Sequence, residues 1–213
     1  MTAREGDMRK VIDVEIYADI ICPWCYIGKK RLDDAFAARP AITPRYIWRC
    51  FLLNPSMPED GMDRQAYLRG KFGNAASAVY GRIAAAGLDS GISFNFDRIK
   101  RTPDSRKTHR YLLAAAAAGH DLSEAFFTAY FIDGKDLGDL DVLTEIARNE
   151  GAELSAEMLA DPHLDQQIET DLETTRQLRI EGVPFMVFGG KFAVSGAHTP
   201  NHIIPVIDAA AAE

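Results

Sequence analysis

Ile12, Val14 and Ile16 alternate with Asp13, Glu15 and Tyr17, the two-residue period of a strand with one buried face, which predicts a strand over 11–18. The period then changes. Cys25, Gly28, Leu32 and Phe36 recur at three- and four-residue spacings, so a helix running to about residue 38 turns Cys25 towards the core and leaves Cys22 one turn earlier, at its exposed start. Residues 45–52 are rich in β-branched and aromatic side chains and predict a second strand, broken by the turn-forming run Asn54-Pro55-Ser56-Met57-Pro58-Glu59-Asp60-Gly61.

From 62 to 160 the pattern is helical, without a convincing strand. Ser105 is placed to cap a helix running to Gly119, and Asp121 and Glu124 have capping-box spacing ahead of Phe126, Phe127 and Tyr130. Leu140, Leu143 and Ile146 mark a further stripe, ended by Gly151. Asp161 and Pro162 open a long helix with Leu164, Ile168, Leu172 and Thr175 facing inward, expected to reach Gly182. Runs at 185–188 and 191–195 flank Gly189-Gly190, a two-residue hairpin signal, and 200–212 reads as a closing helix. Without residues 56–161 the order is βαβ, α, ββ, α, a small mixed sheet covered by helices whose first crossover should be right-handed. The expected class is α/β, with residues 1–55 and 162–213 forming one domain and 56–161 an inserted all-helical one.

Composition narrows the function. The net charge is -7, from 24 basic and 31 acidic residues, and no basic run stands out, which argues against nucleic acid as a partner. Residues 1–10 are polar, with neither the short apolar core of a signal peptide nor the roughly 20 apolar residues of a membrane span, so no membrane partner and a cytoplasmic location are expected. Three cysteines cannot make a disulfide framework. Cys50 and the dispersed His109, His120, His163, His198 and His202 offer no second half-site for zinc, so no metal is expected.

Cys22-Pro23-Trp24-Cys25, between a strand and a helix, therefore points to thiol–disulfide exchange. Cys22, at the helix start where unpaired N–H groups favour a thiolate, is the candidate nucleophile, and Cys25 the resolving thiol. Pro23 suits the first helical turn. Trp24 offers an apolar docking face, or else packs in the core. Asp19 and Glu15 are candidates to relay a proton to or from Cys25, against the simpler reading of strand-end carboxylates. Cys50 reads as a small buried hydrophobe. Gly182-Val183-Pro184-Phe185 alone would be only a turn.

The segments Asp19-Ile20-Ile21-Cys22-Pro23-Trp24-Cys25-Tyr26-Ile27-Gly28, Phe51-Leu52-Leu53-Asn54-Pro55, Ala129-Tyr130-Phe131, Gly182-Val183-Pro184-Phe185 and Ser195-Gly196-Ala197 resemble, in the same order, the DsbA-like branch of the thioredoxin superfamily and its FrnE-like cytoplasmic members. The resemblance implies a thioredoxin fold with a helical insertion, a thiol-disulfide oxidoreductase working through the Cys22/Cys25 couple, and a cis Val183-Pro184 bond facing the cysteines. Val183 would then pair with an extended substrate. His109 stands where similar proteins also carry histidine and is a candidate for the substrate cleft. The implied partners are protein or small-molecule thiols and disulfides, with glutathione as a co-substrate candidate and no bound cofactor, in a monomer or homodimer. His198, where FrnE-like proteins have glutamine, and Cys50 depart from the pattern. Two other functions share this architecture: a glutathione-dependent isomerase or transferase, as in 2-hydroxychromene-2-carboxylate isomerase and the kappa-class transferases, and a redox-inert binding module or chaperone. The isomerases and transferases carry serine at the first active-site position and an acidic residue after the late-strand serine; here those places hold Cys22 and Gly196.

Overall fold

The computed structural model describes residues 10–213. Strand β1 (Lys10–Ala18) leads into helix α1 (Pro23–Ala37), and β2 (Ile42–Cys50) returns parallel to β1. After the insertion come β5 (Phe185–Phe188) and β6 (Phe192–Ser195), giving a four-stranded sheet in the order β2-β1-β5-β6 with β5 and β6 antiparallel to their neighbours. This is the expected mixed sheet flanked by helices. Strand β2 begins three residues before its expected start because all nine residues of β1 find a partner on it, from Lys10 opposite Ile42 to Ala18 opposite Cys50. Pro44 is tolerated there because β2 is an edge strand, so one side of its backbone needs no ladder donor.

The insertion holds β3 (Met62–Asp63), α2 (Arg64–Phe72), α3 (Ala76–Leu88), β4 (Arg101–Thr102), α4 (Arg106–Ala117), α5 (Ser123–Phe131), α6 (Leu140–Asn149) and α7 (Ala156–Leu159). The region read as purely helical thus contains a two-residue antiparallel pair, β3 with β4, too short to leave a period. Two caps differ from expectation. Ser105 makes no side-chain cap on α4. Asp121 accepts from the Ser123 amide at 2.8 Å, while Glu124, instead of closing a capping box, accepts from the Tyr26 hydroxyl at 2.9 Å; a tertiary partner has displaced the local one.

Helix α8 (Pro162–Gln177) starts as expected, with the Asp161 carboxylate accepting from the His163 amide at 2.9 Å. It ends short of Gly182, with Arg179 at φ 53° turning the chain towards β5. The β5–β6 turn keeps Lys191 out of the strand: Gly189 and Gly190 take positive φ, the Lys191 amide donates to Phe188, and pairing resumes at Phe192. Helix α9 (Pro200–Ala212) packs beside α1, and α8 packs on β2 with α4.

One hydrophobic cluster runs through both parts of the chain. Ile12, Val14 and Ile16 of β1 and Leu32 and Phe36 of α1 belong to it together with Tyr111, Phe126, Phe127, Tyr130 and Phe131 of the insertion. Tyr26 is the joint: its ring stacks on Phe127 at 5.0 Å between centroids and lies edge-on to Phe94 at 6.0 Å. Among the described residues no helix is long and apolar enough to cross a membrane.

Candidate active site

Cys22 is the N-cap of α1 and Pro23 its first residue, where proline's missing N–H breaks no helical hydrogen bond. The Cys22 amide donates to the Asp19 carbonyl at 2.9 Å and the Cys25 amide to the Cys22 carbonyl at 3.0 Å, so the turn between β1 and α1 fixes both thiols. Across from them the Val183–Pro184 peptide bond is cis, and the Cys22 thiol donates to the Val183 carbonyl over 3.7 Å. Gly28 lets this loop approach, since a Cβ at that position would lie 2.6 Å from Pro184 Cγ. The loop is tied from its other side by the Gly196 amide, which donates to the Pro184 carbonyl at 2.8 Å.

Trp24 is 38 % exposed beside the thiols, as a docking face requires, while Cys22 is only 4 % exposed, in contrast to the expected open helix start. The Val183 carbonyl against its sulfur accounts for part of that cover. Pro23 and Pro184 are buried and Val183 half-buried. Cys25 is 1 % exposed, and burial, reinforced by the adjacent Cys22 sulfur, pushes its thiol well above the ordinary cysteine range. Cys22, Cys25 and Cys50 are free thiols.

Asp19, fully buried, accepts from the Ile21 amide at 3.2 Å and the Leu53 amide at 2.8 Å. Burial outweighs these bonds and raises its carboxyl to about 6. It also acts on Cys25 through its backbone and its charge. Glu15 does not take part in that set: its half-buried carboxylate holds Arg49 at 2.6 Å. His109, on α4, is buried among protein groups instead of lining an open cleft. Its Nε2 lies 3.9 Å from Asp19 Oδ1 without a hydrogen-bond partner, and burial lowers the ring to about 4. His198 and His202 sit side by side at the start of α9, 5.6 Å between ring centroids.

Asp171 was not singled out by the sequence, yet it is 2 % exposed and accepts from the Cys50 amide at 2.9 Å. Its signal was a carboxylate three residues after Ile168 on the inward stripe of α8. Cys50 packs with Leu52, Ile168 and Leu172 in a small apolar cluster, in keeping with a buried hydrophobe.

Two thiols at a helix mouth, a prolyl loop against the first of them and a fully buried carboxyl whose charge acts on the second define a thioredoxin-type dithiol protein with a helical insertion. The DSBA-like thioredoxin domain family matches residues 13–203, and the chain belongs to that family. It is similar to the probable DsbA oxidoreductase SCO1869 of Streptomyces coelicolor, at 31% identity with 95% of this chain and 91% of that one covered and a TM-score of 0.81. The cytosolic disulfide reductase DsbM of Pseudomonas aeruginosa with GSH shares the fold at 17% identity, TM-score 0.64, covering 94% and 96%. A 2-hydroxychromene-2-carboxylate isomerase does so at 17% identity, TM-score 0.62, covering 92% and 93%.

Proposed function

We propose that the protein is a cytoplasmic thiol-disulfide oxidoreductase that works through Cys22 and Cys25 on protein or small-molecule disulfides, with glutathione as a candidate co-substrate. The observation that carries this reading is the pairing of the two thiols at the mouth of α1 under the Val183–Pro184 loop. Cys22, at the N-cap, occupies the end of the helix where unpaired N–H groups favour negative charge. Its thiolate attacks one sulfur of a substrate disulfide, and the other leaves as a thiolate that takes up a proton. Cys25 then gives its proton to Asp19, attacks the Cys22 sulfur of the mixed disulfide and releases the reduced substrate, leaving Cys22 and Cys25 bonded. The same steps reversed oxidise a dithiol.

The Val183 amide, which donates to no protein group among the described residues, is available to an extended substrate strand. Trp24 supplies apolar contact beside it. An isomerase or transferase needs one activated group at the first position, and a second thiol held one turn away favours redox work. In an insulin-reduction assay the wild type is expected to turn over, Cys22→Ala to lose activity, and Cys25→Ala to accumulate a Cys22-linked mixed disulfide visible by mass. Full activity in Cys22→Ala would overturn the reading.

A further inference from the structure

His109 brings to the dithiol site a buried ring nitrogen with no partner, facing the Asp19 carboxyl whose charge acts on the resolving thiol. The Phe51 backbone acts on the ring in the sense of a hydrogen-bond acceptor, while Nε2 has no partner and lies 3.9 Å from Asp19 Oδ1. A neutral imidazole presents a lone pair at such a nitrogen, and an ionised carboxylate has no hydrogen to offer it. The mismatch disappears once Asp19 is protonated, because its O–H can then donate to Nε2 after closing by about 1 Å to ordinary hydrogen-bond length.

We propose that His109 is a positioning residue for the resolving step: its Nε2 accepts a hydrogen bond from Asp19 in the protonated form, so that the proton leaving Cys25 is held between Asp19 and His109 until the released substrate thiolate takes it up. The proposal rests on the reading of Cys22 and Cys25 as an exchanging pair. The proton balance is closed: Cys25 S–H loses it to Asp19, the Cys25–Cys22 bond forms as the Cys22–substrate bond breaks, and the departing sulfur regains a proton. No external acid or oxidant beyond the substrate disulfide is needed.

The surroundings suit a proton that is held rather than lost. Asp19 is faced by Cys25 of α1, by Lys71 of α2 and by Ser105 at the start of α4. His109 is faced by Asp104 and Arg106 from its own segment and by Asp171 of α8, and Cys50 of β2 lies within range of Asp19 and Asp171. Burial opposes charge on both partners, favouring the carboxylic acid at Asp19 and the neutral ring at His109, the pair of forms between which this hydrogen bond exists.

The test is a single-turnover reaction with 5,5′-dithiobis(2-nitrobenzoate) across pH 4–9. Attack by Cys22 releases one thionitrobenzoate and leaves a second bound as a mixed disulfide, which Cys25 then releases, so two phases report the two sulfurs. His109→Leu is expected to keep a first phase of one equivalent, slow the second about tenfold at neutral pH and move its pH midpoint about one unit lower; His109→Gln, with an amide oxygen as acceptor, should recover most of the rate. A second phase in His109→Leu with the wild-type rate and pH profile overturns the proposal, whereas a wild type without a second phase overturns the exchange reading itself. If His109→Leu does not fold, nitrogen-15 imidazole spectra of the wild type decide: the His109 Nε2 resonance must move as Asp19 titrates at about 6, and an unmoved resonance overturns the proposal.

Discussion

Asp19 and His109 carry opposite shifts, and their effects on stability run against each other. Asp19 has its carboxyl raised from 3.8 to about 6, so the folded state binds the extra proton between those values; its contribution is full below about pH 4 and is lost as pH rises through 6. His109 is lowered from 6.5 to about 4, so its contribution is full above about pH 6.5 and is lost as pH falls towards 4. Each is on the order of 3 kcal/mol, and over pH 4–6 they offset one another. Asp19→Asn should therefore expose a loss of stability on acidification from 6.5 to 4, and His109→Leu a loss on raising the pH from 4 to 6. Urea titrations at several pH values check this, and two variants with the wild-type profile would refute it. The cysteines and Trp24 were legible in the sequence because they are neighbours in it. The Asp19–His109 approach was not, since 90 residues of chain separate partners that only the fold brings together, and Asp171 hid as one polar position within an apolar stripe.

Among the elements, α1 does most to place the site, and Gly28 is where it meets the prolyl loop. Gly28→Ala puts a methyl 2.6 Å from a ring carbon of Pro184, an overlap relieved only by shifting the loop or the helix, at a cost of about 1–3 kcal/mol. Because that loop also holds the Val183 carbonyl against Cys22, insulin reduction should fall with it, by roughly tenfold for about 1.4 kcal/mol of lost transition-state binding. Unchanged melting temperature and unchanged activity would show that the close approach is unimportant. Element types were readable wherever a period ran for several turns, as in β1, α1 and α8. Ends were less so, because tertiary partners set them: β2 lengthens to match β1, and Glu124 leaves its own helix end for Tyr26. The β3–β4 pair, two residues each, is too brief to carry a pattern at all.

At the scale of the whole molecule, the thioredoxin unit and the insertion share their interior. The order of elements in the sequence predicted a helical block interrupting a sheet-forming unit, but not that the two would share one interior, since side-chain periodicity says which face is buried and not against what. Phe127→Ala, which removes a fully buried ring stacked on Tyr26, should cost about 3–5 kcal/mol and shift a single unfolding transition seen alike by the fluorescence of Trp24 and Trp48, both in the sheet-bearing unit, and by far-ultraviolet dichroism. Two separated transitions would show that the parts fold independently.

The anchor between these parts immediately follows Cys25 in the chain. Tyr26 is wedged among Phe94, Phe127 and Phe131, so the helical turn bearing the second sulfur is braced from the insertion as well as from the sheet. A displacement of the insertion against the sheet would therefore be transmitted, through the Tyr26 ring, to the turn that carries Cys25.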